Sequence, residues 1–297
     1  MYILGLNAYH GDSSACIYKN GEIIAASEEE RFRRIKHWAG FPAMAIEFCL
    51  KEANISIAEL DYIAISRDPK ANFKRKIITA LKNRLSWRNI LDRMKNLKKA
   101  GSIQEEIAAL FSIDPTALNG KIINVEHHRA HLASAFFASP FEESAILSID
   151  GFGDFSSTMT ATGKGNQIEV MDTVSYPHSL GVFYTALTQF LGFPHYGDEY
   201  KVMGLAPYGS PKYVEKIRSL VELLPNGLFR LNLQYFNHPK KGVKMSWEDG
   251  SPHMDVLFTN ELIELLGKPR EVKEAITVYH QDLAASIQQV REEVLFH

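Results

Sequence analysis

The sequence predicts an α/β fold of two lobes, residues 1–144 and 145–297, with the second lobe incomplete at its C-terminal end. Three observations carry this expectation. At 297 residues the chain exceeds one ordinary domain. Strand-type apolar runs alternate with a helical pattern in the first half. A strand and turn series that opens the chain recurs near its middle, which implies two structural halves.

The opening series begins with an apolar run at 2–6, passes a polar turn from His10 to Ser13, and continues through a run at 15–18. A Lys19-Asn20-Gly21 turn then leads to a run at 23–26, and an Asn-Gly pair between apolar runs is a strong hairpin signal. Residues 42–53 place Ala45, Ile46, Cys49 and Leu50 on one helical stripe, and 62–66 reads as a short buried strand. The segment 70–99 holds eleven basic residues against the single acid Asp92 and reads as a mostly helical surface insertion. Its charge suits either a patch for RNA or another anionic partner, or a solvated helix face with Ile77, Ile78, Leu81 and Leu85 turned inward. The second reading is preferred.

The recurring series runs through 145–149, a turn Asp150-Gly151-Phe152-Gly153-Asp154, a run at 158–161, a Gly163-Lys164-Gly165 turn and a run at 168–173. Residues 180–190 look like a buried helix, while 225–252 look irregular and suit a lid or an insertion. In 272–297 the apolar residues Ala275, Ile276, Tyr279, Leu283, Ile287, Val290 and Val294 keep helical spacing up to the last residue. With no Gly or Pro stop before His297, a cut in or just after a helix is expected.

Composition narrows the function classes. Hydrophobic residues at 45% and charged residues at 23% describe an ordinary globular protein. A formal net charge of -2 speaks against whole-surface attraction to nucleic acid or to a membrane. The N-terminus has no basic stretch followed by a long apolar one, and no segment is long and apolar enough to span a bilayer. The two cysteines, Cys16 and Cys49, have apolar neighbours that suit small buried hydrophobes, and a reducing cytoplasm fits them.

The sharpest chemical signal is Glu126-His127-His128-Arg129-Ala130-His131. Four residues apart on a helix, His127 and His131 stack on one face and can reach one metal, while His128 points elsewhere. Asp150 ends a buried apolar run and offers a third ligand, and two imidazoles with one carboxylate suit iron first, with zinc or manganese as alternatives. An ordinary pair of helix histidines is the competing reading. The glycines Gly151 and Gly153 would let backbone amides approach an anion. The turn of His10, Gly11, Asp12 and Ser13 matches it, so two facing hairpins could hold nucleotide phosphates, although a plain turn explains either. Lys201 lies in the dense stretch from Gly197 to Gly209, where it could meet a phosphate oxygen or simply form a salt bridge within its loop. The charged run from Ser27 to His37 could be a solvated helical start or carry a functional cation.

Taken together, several ordered motifs resemble the carbamoyltransferase family that includes the nodulation-factor and antibiotic O-carbamoyltransferases. They are Gly5-Leu6-Asn7 with His10 to Ala15, Glu28-Glu29-Glu30-Arg31-Phe32, Lys36-His37, His127 to His131, Asp150 to Gly153, Ser179 to Tyr184 and Lys201 to Ala206. The resemblance implies an actin/hexokinase-like fold similar to the tRNA threonylcarbamoyl-transfer protein. It implies a further C-terminal domain that makes carbamoyl adenylate from carbamoyl phosphate and ATP, and it makes this chain the site where a small-molecule hydroxyl attacks that intermediate. His127, His131 and Asp150 would then be metal ligands completed by nucleotide phosphates, with a fourth ligand, an aspartate, and a Gly-Gly nucleotide motif expected beyond His297. His10 is the candidate general base, and Asp12, Ser13, Lys36, Gly151, Gly153 and Lys201 are candidate phosphate or substrate contacts.

Two other functions stay open at this stage. One is a threonylcarbamoyl transferase acting on tRNA, for which the basic segment would matter. The other is a catalytically inert metal- or nucleotide-binding module.

Overall fold

The computed structural model describes residues 1–73, 75–76, 103–243, 245–248 and 251–297. The chain is α/β and forms two compact units, Met1–Ala130 with Trp247–Ser251, and His131–Ser246 with Pro252–His297.

The first unit is built on a five-stranded mixed sheet of order β3-β2-β1-β4-β5. Strands β1 (Tyr2–Asn7), β2 (Ser14–Lys19) and β3 (Glu22–Glu28) form an antiparallel meander, and β4 (Tyr62–Ile65) and β5 (Ile122–Asn124) extend it in parallel. Asn20 and Gly21 both adopt left-handed backbone, φ 53° and 92°, which makes the two-residue turn that the sequence signals. Alternate residues Leu4, Leu6, Ala15 and Ile17 face a core shared with Ala45, Ile46, Cys49 and Leu50 of helix α2 (Ala43–Ala53) and with Ile107 of helix α3 (Ile103–Phe111). The four apolar residues of α2 are the stripe that its sequence spacing predicts. Burial pushes the Cys49 thiol up to about 11 and raises Cys16 as well, so both act as apolar groups and neither is bonded to another sulfur.

Glu29 is fully buried at the head of the short helix α1 (Glu30–Arg33). Its carboxylate accepts the Arg33 Nε–H at 2.7 Å and the backbone N–H groups of Met44 and Ala45 at 3.3 and 2.9 Å. One buried charge thereby satisfies the first turn of α2, where a negative group is favoured by the exposed amides.

The second unit contains the antiparallel sheet β6 (Glu143–Gly153), β7 (Ser156–Lys164) and β8 (Gln167–Ser175). Helix α4 (His127–Phe136) covers one face of it, with Leu132 and Phe136 packed on Ile146, Met159 and Ala161. Helix α5 (Leu180–Phe190) is buried along most of its length and shares a larger core with Leu283, Ala284, Ile287, Val290 and Val294 of helix α10. That last helix runs over Val278–Leu295, after the shorter helices α6 (Glu199–Leu205), α7 (Val214–Arg218), α8 (His238–Lys241) and α9 (Asn260–Leu266).

Several elements differ from the expectation. The segment 225–252 is not irregular: β9 (Val221–Leu224) and β10 (Leu228–Leu231) form a hairpin through Asn226 and Gly227, both left-handed, and α8 and a short strand pair follow. The Asn-Gly signal was present at 226–227 but stood among enough Pro and Gly to hide the alternation around it. The terminal helix starts at Val278 behind the N-cap Thr277, so Ala275 and Ile276 lie outside it and are exposed. Strand β6 continues through Asp150 to Gly153 with a register shift after Ile149, and the reversal falls on Asp154 and Phe155, both at positive φ. The glycine-rich turn expected at 150–154 is therefore the irregular end of a strand. The basic helical insertion expected at 70–99 lies for the most part outside the described residues. Among the described residues no helix is long and apolar enough to cross a membrane.

Two histidines of the second unit, the buried His238 and the partly buried His178, are held neutral. Desolvation lowers His238, whose Nε2–H donates to the Pro177 carbonyl at 2.6 Å. Desolvation also lowers His178, with help from nearby Arg230, and His178 Nδ1 accepts the Leu231 N–H at 3.0 Å, a bond that protonation would break. Each folded-state value lies below the ordinary 6.5, so the unfolded chain binds more protons as pH falls. The stabilisation is complete above about pH 6.5 and is lost as the pH drops from there through the lower folded values. Urea midpoints measured from pH 7.5 to 5 should be flat at the top of this range and fall below it. A midpoint unchanged down to pH 5 would contradict neutral burial.

Candidate metal centre

Helix α4 begins at His127, where Glu126 turns back to accept the Arg129 N–H at 2.8 Å. The helix is fixed by Phe136, whose ring lies over Gly163 of β7 so closely that a Cβ there would sit 2.7 Å from it. This seating carries His131 to Asp150 at the irregular end of β6, with His131 Nε2 3.5 Å from Asp150 Oδ2. His127 lies one turn earlier on the same continuous helix, and the boundary of the compact units, between Ala130 and His131, falls inside it. His127, His131 and Asp150 each offer one ligand atom, all within 4.8 Å of one another. The third histidine of the motif, His128, is fully buried and turned away.

Support around these groups favours ligation. His127 Nδ1 lies 3.3 Å from the Ser66 carbonyl, and with the proton on Nδ1 the Nε2 lone pair is the ligating one. Asp150 Oδ1 accepts the Gly151 N–H at 2.6 Å, which orients the carboxylate. Ser179, the N-cap of α5, accepts the Val182 N–H at 3.0 Å and donates its hydroxyl to the Asp150 carbonyl at 3.0 Å. Gly181 presses on the same peptide, where an added Cβ would come within 2.7 Å of Asp150 C and O and of Gly151 N. Two imidazoles and a carboxylate with these supports form a donor set that suits iron, zinc or manganese.

The other sequence-predicted residues are placed as follows. His10 lies in the loop after β1, its ring centroid 5.5 Å from that of His127. Asp12 pairs with His37, Oδ1 to Nδ1, at 2.8 Å. Ser13 is fully buried and its hydroxyl lies 2.9 and 2.8 Å from the His10 and Gly40 carbonyls, which braces the loop. Lys36 is exposed beside His37. Gly151 adjoins Asp150, and Gly153 is buried where β6 ends. Lys201 pairs at 2.6 Å with the buried carboxylate of Asp198, which raises the lysine. Ser179 and Gly181 escaped notice as site residues, although a serine followed two residues later by glycine at a helix start is a readable sign of close backbone approach.

Residues 2–297 match the family described as Carbamoyltransferase N-terminus. A Synechocystis protein of uncharacterized function is 40% identical over 302 residues, covering 99% of this chain and 47% of that protein. The nodulation protein NolNO of Sinorhizobium fredii is 32% identical, covering 98% of this chain and 38% of its own length. The chain thus spans less than half of either relative. Among solved structures, YeaZ from Pseudomonas aeruginosa aligns with 59% of this chain and 67% of its own at a TM-score of 0.30 and 16% identity.

A Gly181→Ala substitution should force α5 away from Asp150 and lower stability by about 1–3 kcal/mol, the usual range for overpacking. Urea denaturation measures it, and an unchanged midpoint would mean that the helix is not pressed on this peptide.

Proposed function

The chain belongs to the carbamoyltransferase family, whose N-terminal region it represents, and from that premise we propose that it holds the transfer site for a carbamoyl group moving to a hydroxyl of a small-molecule acceptor. The donor in this reading is carbamoyl adenylate, made from carbamoyl phosphate and ATP by a further domain, for which the greater length of the relatives leaves room. The fold in this reading is the two-lobed actin/hexokinase-like one, with the second lobe completed by sequence outside this chain. The observation that carries the proposal is the candidate ligand group of His127, His131 and Asp150, together with the contact of the His10 and His127 rings.

Carbamoyl carbonyls are poor electrophiles, so transfer needs a good leaving group and a base for the acceptor proton. The acceptor oxygen bonds to the carbamoyl carbon, the bond from that carbon to the adenylate phosphate oxygen breaks, and AMP departs with the electron pair. His10 takes the proton from the attacking hydroxyl. His127, His131 and Asp150 would hold a divalent cation, iron first and zinc or manganese as alternatives, which supplies positive charge against the donor phosphate. Ser179 and Gly181 keep Asp150 in place, and the Ser66 carbonyl keeps His127 in the ligating tautomer.

Elemental analysis of the purified chain and of a His127→Ala, His131→Ala double variant is the first test. Metal bound by the wild type should be lost in the variant, and equal metal content in both would remove the centre. The full-length protein, given carbamoyl phosphate, ATP and a panel of sugar and aminoglycoside acceptors, should yield a carbamoylated hydroxyl detectable by mass spectrometry. A His10→Gln variant should then lower kcat by about 10²–10⁴ with little change in donor binding. Wild-type kcat in that variant would exclude His10 as the base.

A further inference from the structure

We propose that His37 is a positioning residue for this transfer, holding the loop that carries His10 against His127 by its bond to Asp12. The inference rests on the carbamoyl-transfer reading above. It starts from a loop held in part by other segments. Tyr9 and Asp12 both sit in the left-handed region, at φ 58° and 62°, and a bulky residue such as tyrosine is there only when its surroundings impose it.

The surroundings come largely from one segment, 37–40. The Tyr9 N–H donates to the Gly40 carbonyl at 3.1 Å and the Ser13 N–H to the Trp38 carbonyl at 2.9 Å. The buried Ser13 hydroxyl lies against the Gly40 and His10 carbonyls, and the Asn7 amide donates to the carbonyls of Gly11 and Asp12 at 3.3 and 3.1 Å. The Tyr9 hydroxyl donates to Glu106 of α3. These bonds fix the two ends of the loop and the backbone carbonyls of Gly11 and Asp12. Its outer limb is gripped through a side chain by the Asp12 to His37 contact at 2.8 Å, between residues 25 apart in the sequence.

His37 is itself anchored. Its backbone is left-handed, φ 56°, and its N–H donates to Glu30 Oε2 of α1 at 2.9 Å. A chain of contacts therefore runs from α1 through His37 and Asp12 to the loop, and from His10 on that loop to the ring of His127, all within the first unit. His37 is 33% and Asp12 43% exposed, so the pair is reachable by water and releasing it leaves no unsatisfied buried charge. Its loss should cost geometry more than stability. Displacement of a reacting group by about 1 Å can cost roughly a hundredfold in rate.

Two variants separate positioning from chemistry. His37→Ala removes the grip on Asp12, whereas His37→Asn keeps an N–H near the place of Nδ1 but has no titratable ring. Full-length protein is assayed for acceptor-dependent AMP release from carbamoyl phosphate and ATP, together with hydrogen exchange of the backbone at 9–13. The expected result is a kcat lower by about a hundredfold in His37→Ala with an unchanged donor KM, largely restored in His37→Asn. Exchange at 9–13 should quicken by about tenfold in the alanine variant alone. An inactive His37→Asn protein that has lost one limb of the pH profile would make His37 the acid or base itself and overturn the positioning role. Unaltered exchange at 9–13 in His37→Ala would overturn it whether or not the enzyme is active. A wild type that makes no carbamate fails the carbamoyl-transfer reading, and the exchange result still decides the role of His37 in holding the loop. Asp12, Glu30 and His37 also offer ligand atoms within 4.8 Å. Zinc retained by the His127→Ala, His131→Ala protein and lost on adding Asp12→Asn would make the cluster a cation site and replace the proposal.

Discussion

The seating of helix α4 on strands β6 and β7 is the constraint on which the candidate centre depends. Two histidines four residues apart always share a helix face, but sharing a face does not aim them at anything. Aim comes from Phe136 packed closely on Gly163, which fixes both how close the helix stands to the sheet and how it is rotated. With that contact made, His131 reaches the end of β6, and the carboxylate of Asp150 lies opposite it. A side chain at position 163 would lift the helix, and the histidines would keep their spacing while losing their target.

Asp150 is constrained from the other side with equal economy. The start of α5 supplies a hydroxyl to its carbonyl and a missing side chain to its peptide plane. The candidate ligand therefore stands on a strand whose regular pairing has already broken after Ile149, and the helix start takes over the task that the ladder has given up. Irregular backbone at a strand end is common at sites because it re-aims a side chain, and here the re-aimed side chain is the carboxylate.

Much of this was legible in the sequence. The stripe of α2, the Asn20-Gly21 hairpin, the buried α5 and the pairing of His127 with His131 are periodic or local signals, and local signals survive without knowledge of the fold. The extension of β6 to Gly153 was not legible, because Gly-rich sequence reads as a turn unless a partner strand is known to hold it. The late start of the terminal helix was hidden because Ala275 and Ile276 continue the spacing by chance, whereas the N-cap at Thr277 decides the boundary. The partners of Lys201 and Ser13 were not legible either, because Asp198 and the His10 and Gly40 carbonyls are brought to them only by the fold. Asp150 was legible as a third candidate ligand from the apolar run that it ends, and the geometry around it came only with the fold.

The glycine beneath Phe136 has a consequence for how substitutions in this protein would be interpreted. Gly163 lies near the end of β7, bears no functional group and is not itself a candidate ligand. In a survey scored only by loss of activity it would nonetheless rank beside the histidines, and intolerance to substitution would be mistaken for participation in chemistry. The two kinds of position differ in what they spare. Replacing a ligand leaves the packing of α4 intact, whereas replacing Gly163 disturbs Leu132, Ile146 and Met159 together. Reading folding and activity side by side is thus what would sort the residues that act from those that only make room.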